Sequence, residues 1–323
     1  MKCRSQVPMR SMLVFFLQLS LVFAATSWAK FPEKPIVLIM PYPAGGGTDI
    51  SMRPLVNAAG RVLEQQVVIE YHPGGSAAVG LGILKIRKPD GYTIGMTPSV
   101  ALTNQYTRKV NYDLIKDFTP IMQYADYNYG LVVNSDSPWR TLRELTDYAK
   151  SNPGKVRFAS TGPSDRQSLV MSSLAKQLGI HWIHIPFEGG PPALAALLGG
   201  HVEAYSTTMH VKSQVASGRL RLLATYGEKR NPSFPDVPTL GELGFKTLSP
   251  TFMAIVGPKG IPPQIVETIH QAFKKGLEDP AFVKACEVVD HSIIYRSPAE
   301  TAQLFNKVDD EVKNILEDLK LRK

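Results

Sequence analysis

Hydrophobic and polar positions along the chain switch between two periods. Short apolar runs at 35–40, 67–70 and 92–96 are followed by glycine-rich or polar turns, and the first two of these lead into stretches where apolar residues recur at helical spacing. The first unit, 35–63, reads PIVLIMPYPAGGGTDISMRPLVNAAGRVL. Its opening run has the β-branched, unbroken apolar character of a strand buried on both faces. Met52, Leu55, Val56, Ala59, Val62 and Leu63 then mark one face of a helix, with Asp49 or Ser51 expected as its N-cap. A cap at Ser51 would leave Pro54 in the first turn, where its missing N–H costs nothing. Between the strand and the helix, Gly45, Gly46 and Gly47 let a ligand approach the backbone closely. The free N–H groups and positive dipole end of the helix favour an anion there, a carboxylate or a phosphate.

The same outline recurs downstream. The run 67–70 enters a loop of small residues at 72–78 and a helix to about 86. Pro89-Asp90-Gly91 marks a turn, and 92–96 is a third strand ended by Thr97-Pro98-Ser99. Such a succession predicts a mostly parallel sheet with helices on both faces, whose ligand site lies beyond the carboxyl ends of the strands. The loops at 41–49, 72–78 and 97–104 would gather there. Strands at 121–124 and 131–133 mark a crossing point, a helix follows at 139–150, and a second series begins. It comprises strands at 155–159, 182–185, 202–205 and 220–225, with strand-to-helix loops at 160–166 and 186–192. A proline-rich connection at 231–238 leads to an apolar strand at 252–256. Two helices follow Pro262-Pro263, the last opened by the capping box Ser297-Pro298-Ala299-Glu300 and carrying the stripe Leu304, Phe305, Val308, Val312, Ile315, Leu316 and Leu319.

Composition narrows the class. With 323 residues, 44% hydrophobic and 20% charged, the chain has the mixture of a globular protein of two ordinary domains. Lys2, Arg4 and Arg10 precede the apolar stretch 12–25, and Ser27-Trp28-Ala29 offers the small residues that a signal peptidase reads, so residues 1–29 are expected to be a cleaved secretory signal. Its loss takes the formal charge from +8 to +5 and removes Cys3, leaving Cys286 alone, expected as a buried thiol. Basic residues are scattered rather than clustered, which excludes a nucleic-acid partner as the reading of the high pI.

The chemistry-bearing motifs exclude more than they include. A phosphate-binding P-loop needs Lys and Ser/Thr after its last glycine, where Thr48-Asp49 stands, and Ile50 occupies the place of the third glycine of a dinucleotide fingerprint. There is no Gly-x-Ser-x-Gly elbow and no His-Glu-x-x-His helix. His181 and His184, three apart around a strand, face opposite sides and make poor co-ligands for a metal. Neither a catalytic residue nor a metal or other cofactor is expected.

The 41–49 loop, Pro89-Asp90-Gly91-Tyr92-Thr93, Tyr112-Asp113 with the 116–120 segment, Leu197-Leu198-Gly199-Gly200 and Pro235-Asp236-Val237-Pro238-Thr239 occur in this order along the mature chain. In these motifs the chain resembles the periplasmic solute-binding receptors of tripartite tricarboxylate transporters, the Bug or TctC family. The resemblance implies an α/β, two-domain periplasmic-binding-protein (flytrap) fold, each domain a mostly parallel sheet flanked by helices. It implies 30–128 plus 252–323 as domain 1 and 129–251 as domain 2. It further implies a periplasmic monomer that closes on a small organic carboxylate and delivers it to a membrane permease; the alternative is a sensor subunit that presents the ligand to a kinase. The family holds the carboxylate with backbone N–H groups and bridging water. Mapped here, the ligand-binding set is Tyr42, Ala44, Gly45, Gly46, Gly47, Thr48 and Asp49, with Ser76, Ala77 and Ala78 of the second loop. Ser160, Thr161, Asp165 and Arg166 belong to it from the second domain, with Phe187, Glu188, Thr207 and Thr208 and, at the edge, Phe252.

Six residues at four places depart from the family pattern. Ala78 replaces an Asn, Asp165-Arg166 a Thr-Ser pair, Glu188 a lysine, and Thr207-Thr208 an Asp-Asn pair. A second acid on the ligand would meet Glu188 and Asp165 as like charges in a partly desolvated cleft. The expected ligand therefore carries one carboxylate, gripped by Arg166 and the glycine-loop amides, and a cationic or hydrogen-bond-donating far end.

Overall fold

The computed structural model describes residues 31–318 apart from Ser164, Glu228 and residues 247–250; the expected leader, Ser164 of the 160–166 loop and Leu319 of the last stripe lie outside the described residues. Among the described residues eleven strands form two sheets. One contains β1 (Ile36–Met40), β2 (Val67–Tyr71), β3 (Thr93–Pro98), β4 (Phe118–Tyr127), β10 (Met253–Pro258) and β11 (His291–Arg296), in the spatial order β11-β4-β10-β3-β1-β2. The other contains β5 (Tyr129–Asn134), β6 (Arg157–Ser160), β7 (Ile183–Pro186), β8 (Ala204–Thr208) and β9 (Leu220–Thr225), in the order β7-β6-β8-β5-β9. The chain leaves the first sheet between Tyr127 and Tyr129 and returns to it at Met253.

Strand direction follows from the pairings. β1 is parallel to β2 and β3, while β10 is antiparallel to both β3 and β4, so β1 to β4 run one way and β10 and β11 the other. In the second sheet β5 alone runs against the rest. The carboxyl ends of β1, β2, β3 and of β6, β7, β8 thus open into the loops that were expected to bind.

Each sheet buries both faces. On one face of the first sheet, Met52, Leu55, Val56 and Ala59 of α1 (Gly47–Leu63) pack with Ile269 and Phe273 of α8 (Pro263–Gly276) and Phe282 and Cys286 of α9 (Pro280–Val289). Burial pushes the Cys286 thiol up to about 12, the inert thiol the sequence predicts. On its other face, α2 (Ala78–Lys85), α3 (Val100–Thr107) and α10 (Pro298–Asp318) cover Ile39, Phe252, Ala254 and Val256. The second sheet is covered by α4 (Leu142–Ser151) and α5 (Arg166–Leu178) on one side. On the other lie α6 (Gly190–Leu198), a 3-10 turn (Met209–Val211) and α7 (Lys212–Ala216).

Several local expectations change. The N-cap of α1 is Gly46, neither Asp49 nor Ser51, so Pro54 lies inside the helix. Val62 is exposed and drops out of the α1 stripe, whereas the α10 stripe keeps Leu304, Phe305, Val308, Val312 and Leu316 buried. The 97–104 segment is the end of β3 followed by α3 rather than a loop. Among the described residues three helices, not two, follow Pro262, with β11 between the last two. β11 sits at a sheet edge with Ile293 and Tyr295 exposed, so its sequence carries no in-out alternation to read. The capping box is present: Glu300 accepts the Ser297 N–H at 2.8 Å.

Candidate ligand site

The first glycine loop is shaped by one carboxylate. Asp49, 1% exposed, accepts the Gly45 N–H at 2.7 Å, the Tyr71 hydroxyl at 2.6 Å and Arg53 Nε at 2.9 Å. Burial pushes this carboxyl up, but the Tyr71 hydroxyl, the Gly45 amide and Arg53 together carry it below the usual carboxylate range. Its oxygens are therefore committed to the loop, which leaves only the backbone N–H of Asp49 without a partner among the described residues. Gly45 needs its glycine, with φ +79°. Ile50 N–H reaches back to the Gly46 carbonyl at 2.9 Å as the first helical bond. The N–H groups of Gly46, Gly47, Thr48 and Asp49 have no acceptor among the described residues. They point out of the end of a 17-residue helix, with Ala44 and Gly45 exposed beside them.

The second loop has a left-handed backbone at four successive residues, Gly74, Gly75, Ser76 and Ala77. For Ser76 and Ala77 that conformation is unfavourable by roughly 1–2 kcal/mol per residue. Asn104 of α3 holds it in place, its amide donating to the Ser76 carbonyl at 2.8 Å and the Gly75 carbonyl at 3.4 Å. The loop meets the second sheet directly: a side chain begun at Gly162 would lie 3.0 Å from Ser76 Oγ. Ala78 opens α2.

The 160–166 loop is internally bonded. Ser160 is fully buried and donates to the Gly162 carbonyl at 2.7 Å; its Oγ also lies 2.8 Å from His184 Nε2. Asp165, expected as a free acid in the cleft, is instead the N-cap of α5. It accepts the Ser168 N–H at 2.8 Å and the Thr161 hydroxyl at 2.9 Å. Burial raises its carboxyl to about 6 against the pull of those bonds. Arg166 lies over the Tyr129 ring at 5.7 Å, in the field of Asp126 and Glu311. Its charge is thus shared with Asp126 at the crossing point and with Glu311 of α10. Tyr42 feels the charge of Asp165 and hydrogen-bonds Tyr127, so the 41–49 and 160–166 loops face each other.

The remaining expected residues are more scattered. Phe187 is half-buried against the second sheet's core, and its N–H binds the Ser160 carbonyl at 2.9 Å. Glu188 is exposed. Thr207 is buried and donates to the Thr208 carbonyl at 2.9 Å; Thr208 Oγ1 meets His210 Nδ1 at 2.8 Å. Phe252 is fully buried and packs in a tilted pair with Phe305, ring centroids 4.7 Å apart, so it belongs to the core, not to the ligand wall.

A cluster at the crossing point escapes sequence reasoning. Tyr127 bonds Thr48 Oγ1 at 3.0 Å, packs 5.7 Å from Tyr129 and edge-on to His291. Asp126 accepts from Thr251, just before β10, and from the Tyr127 N–H. Burial drives its carboxyl to about 7, partly opposed by the Thr251 hydroxyl and Arg166. The only signal in the chain was the run Tyr124-Ala125-Asp126-Tyr127-Asn128-Tyr129, aromatic and polar residues crowded where two strands change sheets.

The arrangement suits binding better than bond-making. Ser160 and His184 have the spacing of a nucleophile and base, but the serine proton goes to the Gly162 carbonyl, which leaves the imidazole as the donor. What the loops offer is a set of fixed amides, hydroxyls and neutral rings.

Against known proteins, residues 52–321 match the family model described as the tripartite tricarboxylate transporter family receptor. The chain is 39% identical over 294 residues to the UPF0065 protein in the gbd 5′ region of Cupriavidus necator, covering 91% of this chain and 90% of that one. It is 30% identical to the protein BugT of Bordetella pertussis, covering 88% and 89% of the two chains. Among solved structures, the periplasmic binding protein BugD superposes with a TM-score of 0.83 at 26% identity, covering 91% of this chain and all of that one. No helix among the described residues is long and apolar enough to cross a membrane.

Proposed function

Since the chain belongs to the family of tripartite tricarboxylate transporter receptors, we propose that it is an exported solute-binding receptor that captures a small carboxylate between two lobes and hands it to a membrane permease. The lobes are residues 30–128 with 252–323, and residues 129–251, and the chain works as a periplasmic monomer after loss of residues 1–29. The carboxylate sits on the unshared amides of residues 46–49 at the positive end of α1, facing the 160–166 loop. The observation that carries this reading is that set of N–H groups without acceptors, at the mouth of a loop the chain spends Asp49, Tyr71 and Arg53 to hold open.

Calorimetry of the chain from Lys30 onward against mono- and dicarboxylates and amino acids tests it, with saturable binding and no turnover expected. Gly46→Val is the decisive variant. A side chain begun at Gly46 meets only the Pro43 carbonyl, at 3.5 Å, and the backbone there is extended, so the fold accepts it. The branched side chain stands where the carboxylate approaches. Affinity is expected to fall about a hundredfold or more with only a small drop in melting temperature from the poorer helix cap; full affinity in that variant would move the site elsewhere.

A further inference from the structure

Resting on the receptor reading above, we propose that His210 discriminates among carboxylates, its Nε2 accepting a hydrogen bond from a hydroxyl or ammonium group carried beside the ligand's carboxylate. His210 follows β8 in the 3-10 turn Met209–Val211. The ring is fixed from one side, with Nδ1 2.8 Å from Thr208 Oγ1. With the ring N–H at Nδ1 donating to that hydroxyl, Nε2 is left as a bare acceptor. That atom is buried and has no hydrogen-bond partner among the described residues.

Its position connects it to the anion site. His210 Cβ lies 3.8 Å from where a side chain on Gly47 would begin, and Nε2 lies 2.8 Å from where one on Gly190 would begin. The ring thus stands between the first residues of α1 and α6, one helix from each sheet, and glycine at both places leaves backbone alone against it. His291 closes the first-sheet side, with Nδ1 3.1 Å from Ser51 Oγ and Nε2 3.8 Å from the same point on Gly47. Burial lowers the pKa of both imidazoles, that of His291 to about 4, so at neutral pH neither offers a cation to a second carboxylate. A bare lone pair repels a carboxylate oxygen and rewards a donor. A buried acceptor left without one is unfavourable, so an acid that brings a donor is favoured over the same acid without it.

The test uses matched sets of acids that differ only at the carbon beside the carboxylate: propionate, lactate and alanine; succinate, malate and aspartate; glutarate, 2-hydroxyglutarate and glutamate; phenylacetate, mandelate and phenylglycine. Titrated into the wild-type chain, the best-binding set is expected to show its hydroxy or amino member about tenfold or more tighter than the unsubstituted acid. Which of the two leads identifies the donor. His210→Phe is expected to erase that difference while the unsubstituted acid keeps its affinity within about twofold. An unsubstituted acid that binds wild type as tightly as both partners overturns the assignment with no variant needed, as does a preference that survives in His210→Phe. In both cases the receptor reading stands. Binding of no acid in any set would fell that reading and this assignment together.

Discussion

Asp49 shapes the candidate anion site without entering it. By taking the Gly45 amide, the Tyr71 hydroxyl and Arg53, its carboxylate fixes the loop from behind and leaves the next four amides facing outward. Asp49→Ala would strand all three donors. It is expected to destabilise the chain by about 2–3 kcal/mol in denaturant titration and to weaken carboxylate binding as the loop loses its shape. Asp126 makes a different prediction. Its folded-state carboxyl titrates at about 7 against an ordinary 3.8. Between those values the folded chain holds a proton that the unfolded chain has lost, so raising the pH through this window lowers stability. Below about pH 4 both states are protonated and the effect vanishes. Asp126→Asn imitates the protonated group. Its melting temperature is expected to gain on wild type by at least about 2 °C between pH 4 and pH 8; a flat difference across that range would show that the carboxyl titrates normally.

At the scale of elements, α1 shows a propensity overridden by its surroundings. Pro54 stands at its eighth residue, where it removes the bond to the Ile50 carbonyl, yet the helix runs unbroken from Gly47 to Leu63. Met52, Leu55, Val56 and Ala59 bury themselves on both sides of the proline, and that packing against α8 and α9 holds the helix together. Pro54→Ala is therefore expected to stabilise the chain by about 1–2 kcal/mol in thermal or denaturant unfolding. The left-handed run at 74–77 is the opposite case. Ser76 and Ala77 take a backbone that their type disfavours, because Asn104 binds the carbonyls and the 160–166 loop presses from the other sheet.

At the scale of the molecule, the two sheets are coupled beyond the crossing strands. Leu169 of α5, on the second sheet, is buried in the cluster formed by α10 and the first sheet, and Lys176 pairs with Asp318 at 2.6 Å. Near the end of α9, Asp290 accepts from Asn128 at the crossing, from Asn231 and from Ser233, and stands 3.5 Å from Lys212. If a ligand touches both lobes, it favours the arrangement in which both sets of contacts are made. X-ray scattering is expected to show a smaller radius of gyration on saturation with a bound carboxylate. An unchanged radius with calorimetrically saturated protein would remove the closing motion.

The alternation of apolar runs, glycine turns and helical stripes determined the α/β class, most of the strands and the glycine loop at the end of β1, because backbone period and burial are local properties of a sequence. The resemblance in five motifs carried the family. The tertiary structure alone decided the work of individual side chains. Asp165 read as an acid facing the ligand, and Asp49 as a helix cap, until Ser168, Thr161, Gly45 and Tyr71 are placed around them. Arg166 read as a ligand clamp until Tyr129 and Asp126 came beside it. His210 and Asp126 carried no motif at all; their character comes from neighbours far away in the chain, Gly47 and Gly190 for one, Thr251 for the other. A hydrogen-bonding group's role is set by which partner reaches it first and by how much water is left, and both are fixed only when the sheets come together.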